Sequence, residues 1–276
     1  MRITGLLPKD TFGFTYDGLH SGRDFDMWLL KSPIPILSGS RTADDNALRS
    51  DETYSDFLGL DPISLQFELV LHAKNEADLR QKRHRIAAWL SPRQKAKRLI
   101  SDLEPDKYYL AVRRGGQQDM NMLVSQGYFT LEMKVNDPFM YDVGETPGII
   151  DNKNLSTTVA NIGLAETFPT IVIQGHNLTQ LTFNISQLND YDKQFVIDLP
   201  TNYTLQEGDT LTIDCRRSTA FFDRADGRRQ NALPFVSTVF PHFLPETTYD
   251  VTLTGYDPLS FNRYLSIQIY PNSRWE

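Results

Sequence analysis

The chain is 276 residues long, 40% hydrophobic and 23% charged, with a formal net charge of −7. Those proportions belong to a globular protein rather than a disordered one, and the length suits two domains with a core each. A single cysteine, Cys215, excludes an intrachain disulfide and any multi-cysteine zinc site. Residues 1–10 hold no apolar run of signal-peptide length and no stretch approaches a membrane span, so a soluble protein without an export signal is expected.

In chain order, Phe12-Gly-Phe14-Thr-Tyr16-Asp-Gly18 and then Ser21-Gly22 alternate aromatic with small or polar residues. That pattern predicts short strands joined by tight turns. From Pro33 to Asp61 runs a polar stretch with little periodicity, unusually long for a connection inside a compact domain. Its Tyr54, Phe57, Leu58 and Leu60 have no purpose in a solvated loop. Two readings stand, a floppy excursion or an arm that orders on a neighbouring subunit; these apolar residues tilt the choice to an arm over 37–60, with Arg41, Asp45, Arg49, Tyr54, Phe57 and Leu58 as contact residues.

Ile63, Leu65, Phe67, Leu69 and Leu71 place a large apolar residue at every second position, the period of a half-buried antiparallel strand. Asn75 then offers a side-chain oxygen to the first free amides of a helix, with Glu76 and Asp78 placed well for its dipole. Leu79, Ile86 and Leu90 form the apolar stripe, Trp89 falls on the buried side, and Pro92 lies just past the end. Residues 76–90 would span roughly 22 Å at about 1.5 Å per residue.

Residues 74–98 hold nine Lys or Arg against two acids, a net of +7, so the rest of the chain carries −14. A nucleic-acid footprint would interleave aromatics with these charges as stacking platforms, and the segment's one aromatic, Trp89, falls on the buried side. The preferred reading is a solvated helix face that meets an acidic surface, its own or a partner's, with Arg80, Lys82, Arg83 and Arg85 facing outward.

Beyond the helix, Glu104-Pro-Asp106-Lys-Tyr108-Tyr-Leu-Ala-Val112 reads as a turn entering an aromatic strand. Tyr128–Val135 alternates cleanly, with Phe129, Leu131, Met133 and Val135 inward, and stops at Asp137-Pro138-Phe139. Gly144-Glu-Thr-Pro147-Gly148 is the best linker, dividing the chain into residues 1–144 and 145–276. The second part repeats short alternating runs at 170–173, 181–185, 195–197, 211–213, 248–253 and 265–269, the spacing of an antiparallel sandwich. Gln174-Gly-His-Asn177 and Glu207-Gly-Asp209 are read as turns between them.

Motifs for a serine nucleophile elbow, a phosphate loop, a zinc protease helix and a dinucleotide fold are all missing from the sequence. His20, His72, His84, His176 and His242 stand singly and are read as structural. Arginines beside Cys215 could activate its thiol, but with no base nearby it is read as an ordinary strand-end cysteine. Asp223-Arg-Ala-Asp226-Gly227 lacks the ligand spacing of a calcium loop and is read as a turn. The pairs Asp24/Asp26 and Glu104/Asp106 are weak acid–base candidates, since their separation depends on tertiary geometry. No catalytic, cofactor-binding or metal-binding residue is assigned.

Taken in order, Phe14-Thr-Tyr16-Asp-Gly18 with Ser21, the strand–helix unit Ile63–Leu90 ending Trp89-Leu90, Glu104–Val112, and the Gly127–Phe139 strand ending Asp-Pro-Phe resemble the distal tail protein (Dit) family of long-tailed, non-contractile phages. Glu207–Asp214 and Phe243-Leu-Pro245 are similar more loosely. The resemblance implies a mainly β chain: an α+β N-terminal domain with one main helix, and a C-terminal galectin-like β-sandwich. It implies a structural, non-enzymatic role in the virion, at the tail tip, for a protein synthesised in the host cytoplasm. The expected partners are five further copies in a homo-hexameric ring, the tail tube protein, the tail-associated protein and receptor-binding proteins. DNA would pass through the lumen without specific binding, and no membrane is involved. The alternative is a carbohydrate-binding virion module for attachment to the host surface, although no galectin sugar-binding signature is present.

Overall fold

The computed structural model describes residues 12–31, 61–91, 95–114, 121–123, 126–176, 178, 180–187, 193–200, 203–254 and 264–275. Two compact units divide the chain between Val143 and Gly144.

The first unit contains β1 (Phe14–Tyr16), β2 (Leu19–His20), α1 (Ser21–Phe25), β3 (Met27–Lys31), β4 (Ile63–His72), α2 (Glu76–Trp89), β5 (Lys97–Ser101), β6 (Glu104–Arg113), β7 (Asn121–Leu123), β8 (Gln126–Val135) and β9 (Met140–Asp142). Its antiparallel sheet runs β2-β1-β5-β6-β8-β4-β3, with β7 beside β8 and β9 beside β6. Asp17 and Gly18 both have positive φ, 50° and 80°, the left-handed pair that a two-residue hairpin needs. That turn folds β2 back onto β1, pairing Tyr16 with Leu19. The longest ladder joins β4 to β8 from Ile63↔Val135 to His72↔Gln126. At the far edge, the Leu29 N–H of β3 donates to the Phe12 carbonyl at 2.9 Å, drawing that edge back to the lead-in of β1.

The period-two reading of β4 and β8 matches the burial. Leu65, Phe67, Leu69 and Leu71 are buried, as are Leu131, Met133 and Val135. One residue departs from it: Val70 is also buried, on the other face, where its ladder neighbours are Trp28 and Tyr128. Two large aromatic side chains flank the valine on that face.

Both helices lie on the core face. Leu79, Ile86, Trp89 and Leu90 join Phe14, Tyr16 and Phe25 in one apolar cluster with the sheet residues. The Trp89 indole stacks on Phe25 (4.5 Å between ring centres, 16° between planes) and Phe14 (5.8 Å, 12°), and its N–H donates to the Tyr16 carbonyl at 2.8 Å. A buried indole with its one donor satisfied is a strong anchor for a helix end.

The second unit is a sandwich of β10 (Gly148–Asp151), β11 (Ser156–Asn161), β12 (Thr170–His176), β13 (Gln180–Gln187), β14 (Lys193–Asp198), β15 (Thr210–Asp214), β16 (Thr219–Asp223), β17 (Arg229–Asn231), β18 (Thr247–Thr254) and β19 (Tyr264–Tyr270). One sheet has the order β10-β19-β12-β15-β16-β17, the other β11-β18-β13-β14, all antiparallel. Ile171, Ile173, Leu211, Ile213, Ile267 and Phe222 from the first meet Phe183, Phe195, Ile197, Val251 and Leu253 from the second in one core. Gln174–His176, expected as a turn, is instead the end of β12, pairing with Tyr264–Ser266. Gly175 accounts for the difference: a Cβ there would lie 2.3 Å from Leu178 and 2.6 Å from the Tyr264 carbonyl, so the glycine permits close strand approach rather than a bend. Strands β10, β11, β16 and β17 were not anticipated.

Candidate interface surfaces

Helix α2 starts where the sequence places it. The Asn75 side chain accepts from the Asp78 N–H at 2.9 Å, while the Asp78 carboxylate accepts from the Lys74 N–H at 2.9 Å. This reciprocal cap closes the first turn, and the Lys74 N–H is the main reason the Asp78 carboxyl is held below its ordinary range. With Leu79, Ile86 and Trp89 directed inward, Arg80, Arg83, His84 and Arg85 are left exposed.

Of the four cations assigned to an outward face, one is turned inward. Lys82 is 12% exposed; its ammonium bonds the Asp26 carboxylate and the His72 carbonyl (2.9 Å) and lies 3.5 Å from Asp78. It clamps α2 to α1 and to the end of β4. Arg80 pairs with Glu76 one turn earlier, and the Arg85 guanidinium sits 5.4 Å from the centre of the Phe25 ring. The outward basic face thus consists of Arg80, Arg83 and Arg85, with no aromatic side chain on α2 exposed beside them. Such a face suits electrostatic docking to an acidic surface. The arm residues Arg41, Asp45, Arg49, Tyr54, Phe57 and Leu58 lie outside the described residues.

Three of the four weak carboxylate candidates, Asp24, Asp26 and Asp106, are engaged elsewhere. His20 caps α1: its Nδ1 accepts from the N–H groups of Gly22 (3.1 Å) and Arg23 (3.0 Å). The ring proton therefore sits on Nε2, which donates to Asp102 at 3.0 Å, and Asp102 also accepts from the Gly13 N–H at 2.7 Å. This node ties the β1 lead-in to the β5–β6 turn and consists of groups that hold backbone rather than face a cleft. Asp24 accepts from the His20 N–H at 2.7 Å while Asp26 serves Lys82, so the two carboxylates do not converge. Asp106 is exposed beside Lys107 at 3.3 Å. Burial pushes the Cys215 thiol well up, and Asp214 adds to the shift, the opposite of an activated nucleophile.

In the sandwich, the Glu207-Gly208 turn, with Gly208 at φ 86°, is fixed by a pair that the sequence did not reveal. Asp209 (5% exposed) accepts from Arg224 Nη1 at 2.6 Å and from the N–H groups of Ala225 and Gln206, both at 3.0 Å. Arg224 also bonds the Thr204 carbonyl and Gln230 Oε1 and stacks 4.5 Å over Phe222. Asp223 begins a real turn, as read, with Gly227 at φ 83°.

The stretch from just before β4 to the end of β8 matches the family of phage tail protein RIFT-related domains, over residues 59–135. No curated protein matches the chain. Among solved structures, the SPP1 Dit (gp 19.1) protein, described as a paradigm of hub adsorption apparatus in phages infecting Gram-positive bacteria, aligns with 97% of this chain and 100% of its own. The TM-score is 0.65 at 15% identity. The phage p2 baseplate in its activated conformation aligns over 94% of this chain and 97% of its own, with a TM-score of 0.50 at 10% identity. At such identities the likeness is one of fold. The antiparallel, mainly β architecture with one main helix is that of a distal tail protein, as the resemblance implied.

Proposed function

We propose that this protein is a structural hub of a phage tail tip, in which six copies close into a ring that joins the tail tube protein to the tail-associated protein and mounts receptor-binding proteins. Residues 1–144 form the ring, the arm at 37–60 reaches a neighbour, and residues 145–276 are the galectin-like domain. DNA crosses the lumen without specific contacts, the protein performs no catalysis, and it works in the virion after synthesis in the host cytoplasm. The observation that carries this reading is the end-to-end likeness to SPP1 Dit, 97% of one chain against 100% of the other, so that both units correspond rather than one. The tail-domain match over residues 59–135 supports it independently. The exposed arginines of α2 supply a cationic face for an acidic neighbour in a chain whose remaining residues carry −14.

Light scattering coupled to size exclusion, with negative-stain imaging of the purified protein, tests the proposal. A six-fold ring is expected. A monodisperse monomer at high protein concentration, with no rings on the grid, overturns it.

A further inference from the structure

At one end of the six-stranded sheet, β12, β19 and the turn before β15 enclose a groove of about 620 Å³, within the roughly 300–1,000 Å³ of small-ligand sites. Gln174 and His176 of β12 form one wall, Glu207 and Gly208 another, and Tyr264, 55% exposed and paired with His176 in the ladder, a third. Asp209 also borders it, but its carboxylate is taken by Arg224 and two amides. Gln174 makes one long contact, 3.4 Å from its Nε2 to Thr210 Oγ1. His176 Nδ1 is buried with no hydrogen-bond partner among the described residues. That nitrogen is shielded even from water, so the ring presents its other atoms to the groove.

The chemistry of the walls selects among ligand classes. Anions are disfavoured, because among the described residues no lysine or arginine lines the groove and Glu207 is exposed on its rim. A purely apolar ligand would bury amide, imidazole and carboxylate groups without partners, at a cost in binding. What remains is a neutral molecule with one apolar face and several hydroxyls. Next to the groove the same strands present Val172, Thr212, Ser266, Gln268 and Tyr270, half-buried and uncharged, with Asp214 the charged residue at the far end of β15.

We propose that this groove binds a neutral saccharide. The Tyr264 ring stacks on the C–H face of a sugar unit, an arrangement suited to an aromatic with a polar tip. The Gln174 amide both donates to and accepts from ring hydroxyls, and Glu207 accepts from a hydroxyl at the rim. Gly175 is the floor, since any side chain there would meet Leu178 and the Tyr264 carbonyl. This inference does not depend on ring assembly.

The test uses the full-length protein on an array of neutral di- to tetrasaccharides built from hexoses and N-acetylhexosamines, with titration calorimetry on any hit. At least one neutral glycan binds, with an affinity equal at low and high salt. Tyr264→Ala weakens it by about tenfold or more, the loss of one stacked ring, while Tyr264→Phe retains it. Gln174→Ala weakens it by about threefold, as expected for one hydrogen bond lost to solvent. Absence of any neutral hit at millimolar ligand, binding indifferent to Tyr264→Ala, or affinity that collapses with salt overturns the assignment. So does capture of a tail protein through this groove, lost in Tyr264→Ala, with no saccharide bound. Light scattering on the same samples reports ring formation, which distinguishes a failed saccharide site from a failed hub.

Discussion

Trp89 holds the C-terminal end of α2 against the sheet by two ring stacks, an edge contact with Tyr16 at 6.1 Å, and the indole bond to the Tyr16 carbonyl. Replacing it by alanine removes all four and leaves a cavity among Phe14, Tyr16 and Phe25. Core deletions of this size cost about 3–5 kcal/mol, so about 4 kcal/mol is expected for Trp89→Ala. Trp89→Phe keeps a ring between Phe14 and Phe25 but strands the Tyr16 carbonyl, at about 1–2 kcal/mol. At about 4 °C per kcal/mol for a domain of this size, the melting midpoint falls by about 16 °C for alanine and about 4–8 °C for phenylalanine. Differential scanning calorimetry is the assay, because it needs no tryptophan signal. The reasoning is refuted if Trp89→Ala melts within about 1 kcal/mol of the parent, or if phenylalanine is as damaging as alanine. Either result would place the anchor of α2 in its aliphatic residues, Leu79 and Ile86.

Asp209→Asn leaves the Arg224 guanidinium largely buried without its counter-charge, at about 3–5 kcal/mol by urea denaturation near neutral pH. Burial, the largest single influence on Asp209, opposes its ionisation, yet the Arg224 bond and the Ala225 and Gln206 amides together hold its carboxyl below the ordinary range. A depressed carboxylate contributes its full stabilisation above the unfolded pKa, about 4, and loses it as pH falls through the folded value. The gap between parent and Asp209→Asn therefore narrows in acid below about pH 4, and a gap that widens there contradicts the assignment. Gly163→Ala places a methyl 2.3 Å from the Arg274 carbonyl oxygen and 2.5 Å from its nitrogen, backbone atoms that cannot rotate away. It is expected to cost about 1–3 kcal/mol in thermal melts. Gly144→Ala, where nothing lies within 4 Å, stays within about 0.5 kcal/mol.

What could be read in the sequence was whatever rests on local period and capping. Strands β4 and β8 show an unbroken alternation, and α2 shows a cap, a stripe and a stop, so their types followed from a few neighbours each. Elements fixed by distant partners could not be read that way. Helix α1 is five residues long and capped by His20, a residue rarely chosen for that position, whose ring is oriented by Asp102 from 82 positions away. Lys82 has the spacing of an outward cation, but Asp26, 56 positions earlier, and the His72 carbonyl draw it inward. Gly175 resembles a turn residue because local sequence cannot distinguish a bend from a close approach. Strand β11 is Ser-Thr-Thr-Val-Ala-Asn at the edge of its sheet, where one buried valine is too little pattern to see. The Asp209–Arg224 pair joins two turns 15 positions apart, which neither turn signals alone.

The inward turn of Lys82 has a consequence for how the protein can change. It separates the charges of one helix into a cation that the fold requires and arginines that it does not. Arg83 sits on the second side of that division, and Arg80 is held only by an exposed pair with Glu76, an interaction of small worth. Substitutions at these two positions are therefore nearly free of stability consequences. On the proposed reading of α2 as a partner-facing helix, a lineage could retune its fit to a new neighbour there while the domain beneath stays the same.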